Sequence, residues 1–129
     1  MNGPLRAGTG TRIVAAGAAC AMVVWIFAGA QTVGQDLALA APWDKLAHFT
    51  CYGTMAFLLA HAVGRRWIGI PLVLVPAIGA FDEWHQAGIP GREASFFDWL
   101  ADEVGAVTFV YAYLRLSCRR RVDPPASRT

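Results

Sequence analysis

The chain has few charged residues for its length. Charged side chains account for 16% of its 129 residues, whereas 56% of the residues are hydrophobic and the mean hydropathy is +0.41. A soluble domain of this size needs a polar exterior, which so apolar a composition would not supply. The composition therefore disfavours a soluble domain and favours one small membrane domain.

Cysteine is scarce as well, and hydrolase motifs are missing. Cys20, Cys51 and Cys118 are odd in number and two of them lie inside apolar runs, so they do not form a disulfide framework. The sequence has no HExxH segment, no CxxC pair and no nucleophile elbow. Zinc-hydrolase and serine-hydrolase chemistry therefore has no support from motifs, and we interpret the cysteines as small apolar side chains.

Long apolar stretches are present, and there are four of them. A helix needs roughly 20 residues to cross about 30 Å of hydrocarbon, and the four stretches approach that length. The third contains Pro71 and Pro76, which predict a kink. We predict an all-α membrane bundle of four transmembrane helices, at residues 13–30, 46–63, 67–85 and 96–116.

The first stretch also has a competing explanation. Arg6 and Arg12 precede it, and Ala28-Gly29-Ala30 resembles the cleavage site of a secretory signal. The apolar run is longer than the core of a usual signal, and three more apolar stretches follow it. We therefore expect a retained helix.

Basic residues fall almost entirely on one side of the predicted membrane. With four spans, both termini and the second connection share one side, and that side carries nine of the 11 basic residues: Arg6, Arg12, Arg65, Arg66, Arg115, Arg119, Arg120, Arg121 and Arg128. By the positive-inside rule both termini are cytoplasmic. We predict a multi-pass protein of the bacterial cytoplasmic (inner) membrane, with a cytoplasmic N-terminus (1–12), a four-helix domain (13–116) and a disordered basic cytoplasmic tail (117–129).

Acidic side chains gather at the opposite side, at the predicted outer ends of helices two to four. Two cations, Lys45 and Arg92, lie among seven acids, which leaves a formal excess of five negative charges. Crowded carboxylates do not all stay ionised cheaply, so either some keep a proton or a cation sits among them. Ionisable groups at membrane depth predict a site, formed here from Asp44, Asp82, Glu83, Glu93, Asp98, Asp102 and Glu103.

Helical spacing adds geometry to this clustering. Residues three or four apart share a face of a helix, as Asp44 and His48 do in the second stretch. Three helices therefore aim polar stripes at a common volume. In the third and fourth stretches the spacing relates Asp82 to His85 or Gln86, Glu83 to Gln86, and Asp98 to Asp102 and Gly105.

Structural roles can explain the same residues. Asp44 could cap the second helix, and Ser95-Phe96-Phe97-Asp98 matches a capping box. Lys45 could extend to the membrane interface. A lone histidine on an apolar face is more often a hydrogen-bonded core residue than a ligand, but Asp44 one turn from His48 makes a site equally plausible.

Several polar segments follow one another in a fixed order between the apolar helices: Asp44-Lys45-x-x-His48, Asp82-Glu83-x-His85-Gln86, Pro90-Gly91-Arg92, and Ser95-x-x-Asp98 followed by Asp102 and Gly105. In that order and placement they resemble the VanZ-like family of small bacterial integral membrane proteins. The resemblance covers residues 43–110. It implies a cell-envelope role, since the family is named after a member associated with low-level resistance to the glycopeptide antibiotic teicoplanin.

The resemblance also singles out individual positions. The sequence departs from the family pattern at two further positions. Asp102 stands where Asn is usual, and Phe109 stands where a small residue often follows Gly105. The extra carboxylate could bind a cation that Asn would not, and Phe109 argues against a tight Gly-x-x-x-Gly crossing at that point. The family pattern falls on Asp44, Lys45, His48, Glu83, Gln86, Arg92, Asp98 and Gly105.

Two functions are compatible with the sequence. In the first, the protein binds an envelope lipid, a lipid-linked precursor or a partner's segment. In the second, it is an intramembrane enzyme that acts on a lipid-linked substrate, with Glu83 or His48 as general acid or base. We favour binding, because an enzyme should show a recognisable nucleophile or metal set. The predicted binding residues are Asp44, Lys45, His48, Glu83, Gln86, Arg92, Asp98 and Asp102.

Partners and ions follow from the same residues. The lipid bilayer is the predicted surrounding, and nothing predicts a nucleic acid. We expect Lys45 or Arg92 to lie within roughly 4 Å of Glu83 or Asp98. No cofactor is predicted outright, but carboxylates and histidines together could ligate a divalent cation, with His48, Asp82, His85, Asp98 and Asp102 as candidates.

Overall fold

The computed structural model describes residues 8–32, 42–90 and 94–122. Within these ranges the chain forms four α-helices and no strand, which confirms the all-α prediction. A 3₁₀ turn at Arg65–Trp67 joins the second helix to the third. The helices are α1 (Thr9–Thr32), α2 (Trp43–Val63), α3 (Gly69–Gln86) and α4 (Phe96–Val122).

The helices correspond to the four apolar stretches, but their ends differ from those predicted. The largest difference is in α4, which continues to Val122 instead of ending at Leu116. Residues 117–122, predicted as the start of a disordered tail, are therefore helical, and residues 123–129 lie outside the described ranges. Arginine is a good helix former, and a basic group near a helix C-terminus interacts favourably with the helix dipole, so a packed helix propagates through this basic segment.

Helix α2 lies at the centre of the bundle. It packs against each of the other three helices, most extensively against α4. Among its buried side chains, Tyr52 is 2% exposed and Met55 and Ala56 are fully covered. Small and medium apolar residues from all four helices complete this core: Ala19, Ile26, Ala60, Val75, Ala106 and Val110.

Two glycines set the close approach of α2 and α4. A Cβ atom added at Gly105 would collide with the backbone carbonyl of Phe49. A Cβ atom added at Gly53 would lie 2.6 Å from the ring of Phe109. The two helices therefore approach closely at Gly105 without a Gly-x-x-x-Gly pair on α4, because the facing glycine on α2 makes room for the ring of Phe109.

Helix α1 is fastened to the far end of α2. The Arg12 guanidinium donates from Nε to the Ala62 carbonyl at 2.6 Å and from Nη2 to the Val63 carbonyl at 2.9 Å. Helix α2 ends beside this contact at Gly64, whose φ of 79° suits glycine. Arg12 thereby satisfies carbonyls that the last turn of α2 leaves without intrahelical partners.

Many large apolar side chains point outward from the bundle. Val14, Val73 and Trp25 are 72%, 73% and 68% exposed. Apolar exposure of this kind exceeds what a soluble monomer tolerates and suits contact with lipid. Among the residues that the structure describes, two helices are long and apolar enough to cross a membrane, at Thr9–Gly29 and Trp43–Val63.

Candidate functional site

The beginning of α2 and the beginning of α4 are joined by an ion pair. Lys45 Nζ lies 2.7 Å from Asp98 Oδ1 and 2.9 Å from Asp44 Oδ2. This confirms for Lys45 the prediction of a cation beside Glu83 or Asp98. Asp44 also accepts the backbone N–H of Lys45, one of the free donors in the first turn of α2. Arg92, the other predicted cation, lies outside the described residues, as does Glu93.

His48 is held by a carboxylate from another helix. Its Nδ1 lies 2.9 Å from Oδ1 of Asp102, which is fully buried. The aspartate fits beside α3 because residue 79 is glycine, where a Cβ atom would lie 2.8 Å from Asp102 Oδ2. The sequence pattern suggests Asp44 as the neighbour of His48. In the structure Asp44 pairs with Lys45 instead, and Asp102 contacts His48.

Asp82 forms a second buried arrangement with a residue that the site prediction omits. Tyr52 donates its hydroxyl hydrogen to Asp82 Oδ2 at 2.8 Å, and Gln86 Nε2 donates to the same oxygen at 2.9 Å. The imidazole of His48 stacks on the Tyr52 ring, with centroids 5.9 Å apart and planes 2° from parallel. Tyr52 could have been found from the sequence, because it is four residues after His48 and residues at that spacing lie on the same face of a helix.

Glu83 connects the end of α3 to the start of α4. Its Oε2 accepts the backbone N–H of Ser95 at 2.6 Å, and its side chain is buried, with the residue only 7% exposed. Ser95 in turn accepts the N–H of Asp98 at 3.3 Å, which is half of the predicted capping box. In a complete capping box the Asp98 side chain would accept the Ser95 N–H, whereas here the Glu83 side chain accepts it.

These contacts bring together side chains from three helices into one group, which we call the polar cluster. Ligand-type atoms of His48, Glu83 and Asp98 all lie within 4.8 Å of one another. Of the other predicted metal ligands, His85 packs its ring against Phe27 of α1, with centroids 5.6 Å apart. The polar cluster consists of Asp44, Lys45, His48, Tyr52, Asp82, Glu83, Gln86, Asp98 and Asp102.

Some carboxylate oxygens of the polar cluster have no hydrogen-bond donor among the residues that the structure describes. Within the described residues, Asp82 Oδ1, Glu83 Oε1 and Asp102 Oδ2 are buried and accept no hydrogen bond. A buried acceptor without a partner is costly, so such groups in a folded protein take a proton, a water or a cation. The arrangement is therefore suited to binding a cation or a ligand that donates hydrogen bonds.

Comparison with known proteins adds the family. No curated protein and no solved structure gives a significant match to the chain. A family model described as VanZ/LLP1 matches residues 12–117 and so extends the sequence resemblance to include α1. The family and the two long apolar helices indicate a membrane protein. Since the match covers most of its length, the chain belongs to the VanZ/LLP1 family.

Proposed function

We propose that the protein spans the bacterial cytoplasmic membrane with all four helices and binds an envelope lipid or lipid-linked precursor at the polar cluster. Both termini are cytoplasmic in this proposal, and the cluster faces outward. The distribution of charge supports this orientation, because the arginines of the described residues, unlike Lys45, lie at the other end of the bundle. At that end Arg65 donates to the Leu114 carbonyl, near Arg115 and Arg119.

One observation supports binding more than any other. His48, Glu83 and Asp98 come from three different helices, yet their ligand-type atoms lie within 4.8 Å of one another. Helix capping explains why Glu83 lies beside the start of α4, where it accepts the Ser95 N–H, but it does not require His48 of α2 to converge on the same point. The cluster presents both a cation, Lys45, and unpartnered carboxylate oxygens, which together suit a headgroup carrying phosphate and hydroxyl or amino groups.

Native mass spectrometry tests the proposal directly. The full chain, extracted from bacterial membranes in mild detergent, should retain envelope lipid. The Glu83→Gln variant should retain much less, because it keeps the size of the side chain but removes its charge. Glu103→Gln is the matched control, since Glu103 also has a buried carboxylate oxygen that accepts no hydrogen bond within the described residues, but it lies outside the polar cluster. Equal retention by Glu83→Gln and the wild type would contradict binding at the cluster.

A second candidate is an intramembrane enzyme acting on a lipid-linked substrate. The observation in its favour is the 2.9 Å contact of His48 Nδ1 with Asp102, because a carboxylate that orients a histidine is typical of general acid–base pairs. Turnover of a lipid-linked phosphate by purified protein, abolished in His48→Gln with lipid retention unchanged, would support this candidate over simple binding.

A further inference from the structure

We propose that His48, Glu83 and Asp98 bind one divalent cation of the first transition series, of the Mn²⁺ or Zn²⁺ type. The inference rests on the proposed function, because the cation would hold the phosphate of the bound lipid at the same cluster. Three protein ligands leave coordination positions open for that phosphate or for water.

The distances between the three proposed ligands suit a single ion. Bonds from an ion such as Zn²⁺ to nitrogen and oxygen are about 2.0 to 2.2 Å long, so two ligands of one ion lie about 3 to 4.4 Å apart. The ligand-type atoms of His48, Glu83 and Asp98 fall within 4.8 Å of one another. Small side-chain shifts therefore suffice to bring all three to one ion.

The surroundings of His48 provide independent support. A histidine that ligates a metal usually donates its other ring N–H to a carboxylate, which fixes the ring and raises its basicity. His48 Nδ1 has such a partner in Asp102, which is fully buried. With Nδ1–H donated to Asp102, Nε2 keeps the lone pair that a metal requires.

Glu83 supplies a buried oxygen without a partner. The residue is more than nine-tenths buried, and Oε1 accepts no hydrogen bond within the described part of the chain. Its other oxygen accepts the Ser95 N–H at 2.6 Å, which fixes the direction of the carboxylate. A cation beside Oε1 would remove the cost of burying this charge.

The mixture of ligands indicates the class of ion. Calcium and magnesium prefer oxygen ligands alone, whereas imidazole favours transition metals and zinc. One histidine with two carboxylates therefore favours Mn²⁺ or Zn²⁺. Lys45 acts as the competing cation, since its Nζ lies 2.7 Å from Asp98 Oδ1.

Metal titration of lipid-free protein tests the site. The full chain is purified in detergent, treated with chelator, and titrated with MnCl₂ while free Mn²⁺ is measured by electron paramagnetic resonance; ZnCl₂ is tested by elemental analysis after desalting. We expect one bound ion per chain. Glu83→Gln and Asp98→Asn should weaken binding at least about tenfold, and Asp102→Asn about 10- to 100-fold. Glu103→Gln should bind as the wild type does.

A gain of affinity separates the site from a folding defect. Lys45→Met removes the competing charge and should tighten Mn²⁺ binding several-fold, but not in a chain that also carries Glu83→Gln. Three results would overturn the proposal. Lys45→Met could tighten Mn²⁺ binding equally with and without Glu83→Gln, or the wild type could bind neither ion stoichiometrically. The third is an equal loss of Mn²⁺ affinity in Glu83→Gln and Glu103→Gln. Ion binding by a protein that retains no lipid would sink the proposed function and leave the metal site intact.

Discussion

At the scale of single residues, the sequence identifies most members of the polar cluster but not their pairing. His48, Asp98 and Asp102 are recognisable because charged groups are rare in apolar helices. Their partners depend on how α2 and α4 are rotated about their axes, which spacing within one helix does not determine. Tyr52 was missed because a tyrosine in an apolar stretch is equally typical of a core, and its role appears only once Asp82 is beside it.

Gly79 provides a prediction at this scale. In Gly79→Ala the new Cβ atom would lie 2.8 Å from Asp102 Oδ2, so the carboxylate must shift from the position in which it contacts His48. We expect a loss of about 1 to 3 kcal/mol in the free energy of unfolding, as is usual for overpacking, measured by denaturation in detergent. Gly17→Ala is the control, because nothing lies within 4 Å of a Cβ atom there. Equal stability of the two variants would contradict the tight fit of Asp102.

At the scale of helices, the apolar stretches predict the number, type and order of the elements. Their ends are less predictable, as the continuation of α4 to Val122 shows. Residues 117–122 have no apolar period, so periodicity gives no sign of a helix there. Their helix propensity and their attachment to a packed helix account for it. Contacts between helices could not be predicted from the sequence either. The space that the Phe109 ring occupies, for example, depends on Gly53 of a different helix.

The α2–α4 crossing gives a prediction for two variants of different severity. Gly105→Ala should be the worse, since the new Cβ atom meets the Phe49 backbone carbonyl and the helices must separate. Gly53→Ala meets only the Phe109 ring, so adding Phe109→Leu should restore part of the lost stability. Thermal denaturation of the single and double variants measures this. Lack of any rescue would contradict a contact limited to the ring.

At the scale of the whole molecule, charge is divided between the two ends of the bundle. Carboxylates lie where α2 and α4 begin and α3 ends, and arginines lie where α1 begins and α2 and α4 end. The sequence predicts this division from the parity of the spans alone. It does not predict which acids touch, because that depends on packing between helices.

Topology is the prediction that belongs to this scale. In a chain freed of its natural cysteines, Gly88→Cys should react from outside the cell with an impermeant thiol reagent, because Gly88 follows the α3 end that carries the polar cluster. A reporter fused after Arg121 should be cytoplasmic. Reaction at position 88 only after the membrane is permeabilised would reverse the orientation and place the polar cluster inside the cell.

The contact of Arg12 with the end of α2 has a consequence for the order of assembly. Arg12 precedes the Ala62 carbonyl by 50 residues. A ribosome makes the chain from its N-terminus, so α1 is finished well before the groups that Arg12 binds exist. Its guanidinium must therefore find other partners, such as water or lipid phosphates, until the last turn of α2 has been synthesised. Under the proposed topology, the same arginine first serves as a positive charge that orients the nascent helix, and afterwards it joins α1 to the end of α2.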